Sequence, residues 1–361
     1  MADINTLVEI KDLRTYFYLA EGVVHAVEGV DLTIQRGQTL GVVGESGCGK
    51  SITSLSLLQL VPPPGKIVSG EILFYKPSQR TSTNETVDVV NITALDPKGR
   101  EIRDIRGNHI SMVFQEPMTA MSPVRTIGQQ ITEAIILHQH VSKQEARTRA
   151  IDMLARVKMS RPQQVIDDYP FQLSGGMRQR AVIAMALCCR PSLLIADEPT
   201  TALDVTTEAQ ILDLMRVLQN DFGMAIMYIT HNLGVVAEMA DEVVVMYLGK
   251  VVEQTDVKTI FLNPLHPYTR GLLASIPQLN ETITKTDRSR RLQTIKGMVP
   301  DPYARLTGCP FAPRCPAFMP DLCDKVEPKN VMAEPGHYVR CHLYSETTSP
   351  DSQNAKQGSS L

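Results

Sequence analysis

One run of eight residues, Gly44-Glu45-Ser46-Gly47-Cys48-Gly49-Lys50-Ser51, constrains this chain more than any other feature. It fits G-x-x-x-x-G-K-[ST], in which glycines let backbone N–H groups wrap phosphate oxygens at the start of a helix. The flanks suit that reading. Thr39-Leu40-Gly41-Val42-Val43 reads as a short apolar strand, and a helix follows from about Lys50 to Leu60 until Pro62-Pro63-Pro64 stops it. An ordinary glycine-rich turn would not need this strand and helix around it. Lys50 would neutralise the outer phosphates as a point charge, and the Ser51 hydroxyl suits Mg²⁺, which takes oxygen ligands.

The rest of the chain continues the α/β pattern. From Pro191 onward, strand Leu193 to Ala196, helix Thr207 to Asn220, strand Met224 to Ile229, helix Leu233 to Met239 and strand Glu242 to Leu248 alternate. Such alternation predicts a mainly parallel sheet covered by helices. Ahead of the glycine loop, Leu7 to Leu13 and Val23 to Ile34 alternate apolar and polar residues and meet at turn-prone Glu21-Gly22, which predicts an antiparallel subdomain. Ile127 to Val157 carries helical periodicity, so a helical subdomain is expected at about residues 117–175. The Ser-, Thr- and Asn-rich stretch from Lys76 to Asp88 reads as an exposed loop. After Asn263 proline becomes frequent, a basic connector runs from Glu281 to Lys296, and four cysteines follow. The expected organisation is a nucleotide-binding domain over 1–262, a separate cysteine-bearing module over 263–344 and a disordered polar tail over 345–361.

Composition excludes several classes. A chain of 361 residues has room for two or three domains, and 43% apolar against 21% charged residues puts it among folded globular proteins. Lys+Arg 36 against Asp+Glu 39 gives a net charge of −3, with no basic excess to hold a duplex or an anionic lipid surface. Apolar runs such as Ala181 to Cys189 are bounded by arginines and fall far short of the roughly 18 residues of a spanning helix. Met1-Ala2-Asp3-Ile4-Asn5 lacks the basic patch and apolar stretch of a secretory signal, which predicts a cytosolic chain. In a reducing compartment the seven cysteines, an odd number, do not suggest a disulfide scaffold.

Ser192-Leu193-Leu194-Ile195-Ala196-Asp197-Glu198 is a buried strand ending in two carboxylates. Ligands of open α/β sheets collect at strand C-termini, so both acids are expected beside the phosphates. Asp197 is suited to Mg²⁺, while Glu198, one residue on, could polarise the water that attacks the γ-phosphate.

Between these two motifs, Leu173-Ser174-Gly175-Gly176-Met177-Arg178-Gln179-Arg180 resembles the signature of the ATP-binding-cassette (ABC) family. The resemblance implies that Ser174, Gly175 and Gly176, at a helix N-terminus, bind the γ-phosphate of an ATP held by the opposite subunit, so that a dimer sandwiches two ATP molecules. Gln115, in Val113-Phe114-Gln115-Glu116-Pro117, resembles the Q-loop glutamine that senses Mg²⁺ and water and couples to the permease. Asp204, in Ala202-Leu203-Asp204, resembles the D-loop residue, and His231, after strand Met224 to Thr230, the switch histidine. The family stacks adenine on an aromatic of the first sheet. Phe17 is the expected residue, with Tyr16 and Tyr18 as competitors.

His266-Pro267-Tyr268-Thr269 and the cysteine-bearing extension narrow the resemblance to the ATPase subunits of oligopeptide, dipeptide and nickel importers. It implies ATP hydrolysis coupled to dimer closure and to uptake through two separate membrane permeases. A second ATPase, related or identical, and indirectly a solute-binding protein would be the further partners, on the cytoplasmic face of the bacterial inner membrane. A nucleic-acid-linked or translation-linked ABC ATPase is the alternative. Such relatives usually carry a coiled-coil insertion or two cassettes, and neither is seen. A silent binding module would lack Glu198 or His231, and both are present.

Cys309, Cys315, Cys323 and Cys341 leave five, seven and seventeen residues between successive sulfurs, with no C-x-x-C pair. That spacing argues against a zinc ribbon and allows four thiolates to surround an iron–sulfur cluster. The family resemblance points to [4Fe-4S] in some members. A mixed zinc site with His337 and His342, or four reduced thiols without metal, stand beside it.

Overall fold

Alternating apolar residues turn the first two strands, β1 (Thr6–Leu19) and β2 (Gly22–Gln35), into an antiparallel hairpin whose buried face runs from Val8, Ile10 and Leu13 to Val30 and Ile34. The computed structural model describes residues 5–76, 88–115, 120–201, 203–275, 295–304 and 307–345. The expected loop between Lys76 and Asp88, most of the basic connector, Ala202 and the tail after Ser345 lie outside the described residues. β4 (Gly65–Lys76) pairs with β1 and β5 (Asp88–Asn91) with β4, giving an antiparallel sheet in the order β2-β1-β4-β5.

The second sheet runs β11 (Val331–Glu334), β12 (His337–Val339), β10 (Lys250–Asp256), β9 (Glu242–Tyr247), β3 (Thr39–Val43), β8 (Ala225–Thr230), β7 (Leu193–Asp197), β6 (Ile110–Val113). Its centre is parallel: β3, β6, β7, β8 and β9. Every residue of β3, β7 and β8 is buried, as strands covered on both faces require. One face packs on the antiparallel sheet and α1 (Lys50–Leu57), joining Leu57, Ile72 and Phe74 to Ile195, Met227 and Val244. The other packs on helices. Each fully buried Ile or Leu in these layers contributes about 1.5–3 kcal/mol of burial free energy.

α2 (Arg100–Asn108) precedes β6, and the expected helical subdomain follows it. α3 (Ile127–Gln139) starts in a capping box between Thr126 and Gln129, and α4 (Lys143–Arg156) starts on Ser142. Ile127, Ile131 and Ile135 recur at helical spacing and meet Ala146, Ala150 and Leu154 across the pair. The short α5 (Pro162–Val165) leads to α6 (Gly175–Leu187), which with α7 (Val205–Phe222) closes this core; α8 (Leu233–Met239) lies between β8 and β9.

The C-terminal extension adds strands to the main sheet. β10 (Lys250–Asp256) turns back antiparallel on β9, and β12 (His337–Val339) and β11 (Val331–Glu334) continue the same sheet. An uncovered β10 edge would leave a row of unpaired backbone groups, and β12 supplies the partners. Buried Glu253 completes the junction. Its carboxylate accepts hydrogen bonds from the Leu265 and His266 N–H groups (2.7 and 2.9 Å), and pairs with His337 Nε2 at 2.8 Å. Helices α9 (Val257–Leu262) and α10 (Pro267–Ala274) flank this clasp.

Candidate nucleotide site

The glycine loop leaves β3 and enters α1 as the sequence predicts, and two of its glycines are required by close approach. A Cβ on Gly44 (φ 152°) would lie 2.2 Å from the Met246 carbonyl oxygen, and one on Gly49 (φ 101°) 2.2 Å from that of Ala26. Lys50 is buried, its Nζ donating to the Gly44 and Glu45 carbonyls at 2.7 and 3.0 Å. The loop residues Ser46 to Ser51 line a cavity of about 590 Å³, with Gln115 and Glu198 on one side and Val24, His25 and Ala26 of β2 on another.

At the end of β7 the two carboxylates divide. Asp197 is 5% exposed, and its Oδ1 has no hydrogen-bond partner. Burial raises its pKa above the ordinary carboxylate value, opposed by a hydrogen bond from the Ser51 hydroxyl. A buried carboxylate oxygen without a partner, beside a serine hydroxyl, fits a hard divalent cation. Glu198 adopts a left-handed backbone (φ 45°), and its N–H donates to the Ile229 carbonyl at 2.9 Å. Its carboxylate is crowded with donors: Gln115 Nε2 and Thr201 Oγ1, each 3.0 Å from Oε2, and His231 Nδ1, 3.0 Å from Oε1. Burial pushes its pKa up, but the hydrogen bonds from His231 and Thr201 and the charges of His231 and Lys50 outweigh this and hold it below the ordinary value. Thus Gln115, Glu198 and His231 form one cluster, and Thr201 joins it without a sequence signal.

Ser174, Gly175 and Gly176 stand elsewhere. Ser174 caps α6, its side chain accepting from the Met177 N–H, and Ser174 and Gly175 are exposed. Neither glycine lines the cavity. Asp204 caps α7, accepting from the Thr207 N–H at 3.0 Å and from its hydroxyl at 2.8 Å. These hydrogen bonds, the backbone one first, hold its carboxyl below the ordinary range. A Cβ on Gly176 would lie 2.9 Å from Thr207 Cγ2, so the signature turn and the Asp204 cap share Thr207.

Phe17 does not line the cavity. Its ring covers Gly65, where an added Cβ would come within 2.7 Å of it, and only its cross-strand neighbour Val24 reaches the cavity wall. Tyr16, its competitor, lies against His25, the ring centroids 4.0 Å apart and the planes tilted by 31°, and His25 is a cavity residue. Side chains alternate across a strand, so neighbours in β1 take opposite faces. The sequence reading also missed the C-terminal wall: Asp301, Pro302, Tyr303 and Ala304 line the same cavity. Nothing in their spacing marks them.

A profile described as ABC transporter matches residues 27–201, and one described as oligopeptide/dipeptide transporter, C-terminal region, matches 252–323. The oligopeptide transport ATP-binding protein AppD of Bacillus subtilis is 50% identical over 343 residues, covering 95% of this chain and 98% of that protein. The chain belongs to the ABC transporter ATP-binding family. The dipeptide transport ATP-binding protein DppD of the same organism is 44% identical, over 94% of this chain and 95% of that one. Among solved structures, the dimeric post-hydrolysis state of an ATP-binding cassette bound to ADP and Pi is 26% identical, with a TM-score of 0.58 over 70% of this chain and 99% of that one. This ABC chain is accordingly an ATPase. No described helix is long and apolar enough to cross a membrane.

His337 Nε2 pairs with Glu253 while its Nδ1 is buried without a hydrogen-bond partner, and His342 Nε2 donates to the Val326 carbonyl at 2.8 Å. Among the described residues no group of three or more His, Cys, Asp or Glu is placed to hold a metal ion. The four thiols are nevertheless neighbours. Burial, then the charges of Cys341, Cys323 and Cys315, push Cys309 up to about 11. All seven cysteines are free.

Proposed function

We propose that this ATPase is the energy-coupling subunit of a bacterial peptide importer, working as a dimer of cassettes beneath two separate permease chains. What supports the dimer is the division of the site: Lys50, Asp197 and Glu198 gather at the phosphate loop, while Ser174 and Gly175 are exposed at a helix N-terminus with no phosphate partner in their own chain. A second cassette, identical or related, would bring its signature residues onto the ATP held here. The oligopeptide and dipeptide transport roles of the AppD and DppD relatives support peptides as the solute class, delivered by a solute-binding protein that does not touch this chain. Such a subunit would sit on the cytoplasmic face of the inner membrane. No feature of the described site favours the nucleic-acid-linked alternative.

In this reading Lys50 turns from its loop carbonyls to the β- and γ-phosphates, and backbone N–H groups from Gly44 to Ser51 cradle them. Ser51, Gln115 and Asp197 would hold Mg²⁺, which when bound neutralises phosphate charge. Glu198 accepts the proton of the attacking water, and His231 orients that carboxylate and reaches the γ-phosphate. Isolation of the intact complex, with its chains identified and peptide uptake measured, tests the assignment. Permeases of another solute class in the complex would overturn the peptide reading.

Cys309, Cys315, Cys323 and Cys341 are the residues that would hold a [4Fe-4S] cluster. Their four thiols, all free, would supply the sulfur donors of such a group. Iron, sulfide and zinc analysis after anaerobic purification tests it. A folded, active, iron-free protein would end that reading.

A further inference from the structure

We propose that Arg314 and Tyr268, both in the C-terminal extension, are positioning residues for the phosphate loop, so that the extension sets the affinity for ATP. The point of contact is Glu45, the second residue of the loop. The Arg314 guanidinium donates to both of its carboxylate oxygens, Nη1 to Oε2 at 2.7 Å and Nη2 to Oε1 at 3.1 Å. The Glu45 N–H donates to the Tyr268 hydroxyl at 2.8 Å. Main chain and side chain of one loop residue are therefore both held by residues more than two hundred positions away.

The holding groups are themselves fixed. The Arg314 side chain is 4% exposed, with its guanidinium carbon 5.9 Å from the centre of the Tyr247 ring and 6.0 Å from that of Phe311. Tyr268 is fully buried, its ring 4.6 Å from that of Tyr247 and 5.4 Å from that of Phe311. A planar guanidinium fixed on aromatic faces is a preorganised fork for a carboxylate, a geometry lysine cannot reproduce. The hydrogen bond to Glu45 raises the Arg314 pKa, opposed by burial, so it remains a cation.

The link to ATP runs through Lys50. The Glu45 carbonyl is one of the two that its Nζ engages. Moving Glu45 moves this carbonyl together with the N–H groups on either side of it, which must converge on phosphate oxygens. Arg314 also adjoins Cys315, so whatever occupies or reshapes the cysteine loop acts on the same lever.

The inference rests on ATP binding at this loop, and Mg–ATP titration of the purified full chain tests the two separately. Lys50→Ala is the control for the loop itself: if it binds ATP normally, the site assignment fails and this inference with it. With that control behaving, Arg314→Ala and Glu45→Gln should each weaken ATP binding about tenfold, the effect of losing one partly buried, charge-assisted pair. Arg314→Lys should recover only part. Because one pair is removed twice, the double variant should be no weaker than the weaker single. In the assembled transporter the loss should appear as a raised KM for ATP with kcat nearly kept. Merely loosened folding would reduce the active fraction and lower kcat at unchanged KM, a result that overturns the proposal. Unchanged ATP affinity in folded Arg314→Ala, or fully additive losses, would overturn it too. If Arg314→Ala does not fold, Glu45→Gln alone decides, and normal ATP binding by it counts against the proposal.

Discussion

Glu198 gathers Gln115, Thr201 and His231 on one carboxylate, in a left-handed backbone conformation that a non-glycine residue adopts at a cost of about 1–3 kcal/mol. Strain and donors together aim a charged oxygen toward the cavity. Glu198→Gln keeps the shape but loses the proton acceptor, so it should bind ATP and stop hydrolysis in the assembled transporter. Surviving turnover would remove Glu198 from the base role. Lys50→Ala should abolish ATP binding, since the phosphates lose their positive partner in the loop; calorimetric titration checks it. A pH effect also follows. With its folded pKa below the unfolded value, Glu198 contributes stability that is complete above the unfolded value and is lost as pH falls through the folded one. Thr201→Val removes one of the lowering hydrogen bonds, so the Glu198 midpoint should rise and its acid loss begin at higher pH. Carboxyl-carbon NMR titration reads this directly, and an unmoved midpoint would contradict it.

The helices α6 and α7 present their N-termini for different ends. α7 is capped by an Asp204 carboxylate already satisfied by Thr207. α6 begins with an exposed serine and an exposed glycine, and open space surrounds the Cβ position of Gly175. An exposed helix start with no bulk at its first glycine is a ready binding site for phosphate. Ser174→Arg should therefore leave ATP binding by the single chain within about twofold, because its own phosphate loop is untouched, while blocking the opposite cassette from closing. ATP binding measured beside dimerisation and hydrolysis separates these effects. Weak binding by the single chain would contradict the cross-dimer role.

Across the molecule, the junction at Glu253 decides whether the extension stays on the main sheet. A buried carboxylate joined to two backbone N–H groups and His337 leaves three polar groups stranded if it is cut back. Glu253→Ala should destabilise the fold by about 3 kcal/mol, since it leaves these buried polar groups without partners. Limited proteolysis should then cut ahead of β11, and ATP affinity should fall with it if Arg314 acts on the loop. Unchanged melting and cleavage would show that the extension is held elsewhere.

Local patterns in the chain were enough for the α/β class, the strand–loop–helix around Lys50, the antiparallel hairpin and the carboxylates after β7. Each depends on interactions between near neighbours: alternation, helical spacing, caps, and glycines where a backbone must pass close. The ordered motifs carried the family with them, because their spacing along the chain reflects their successive places at the strand ends. Long-range pairing left no such trace. Joining of β12 to β10, the clamp from Arg314 to Glu45, the Asp301 to Ala304 wall and the commitment of His337 to Glu253 all connect residues far apart in sequence. Phe17 shows the same limit at one residue. Three aromatics in a row cannot say which ring faces the cavity, because the face a side chain takes follows from register, and register in β1 is set by its pairing with β2 and β4 and by the shifts within it.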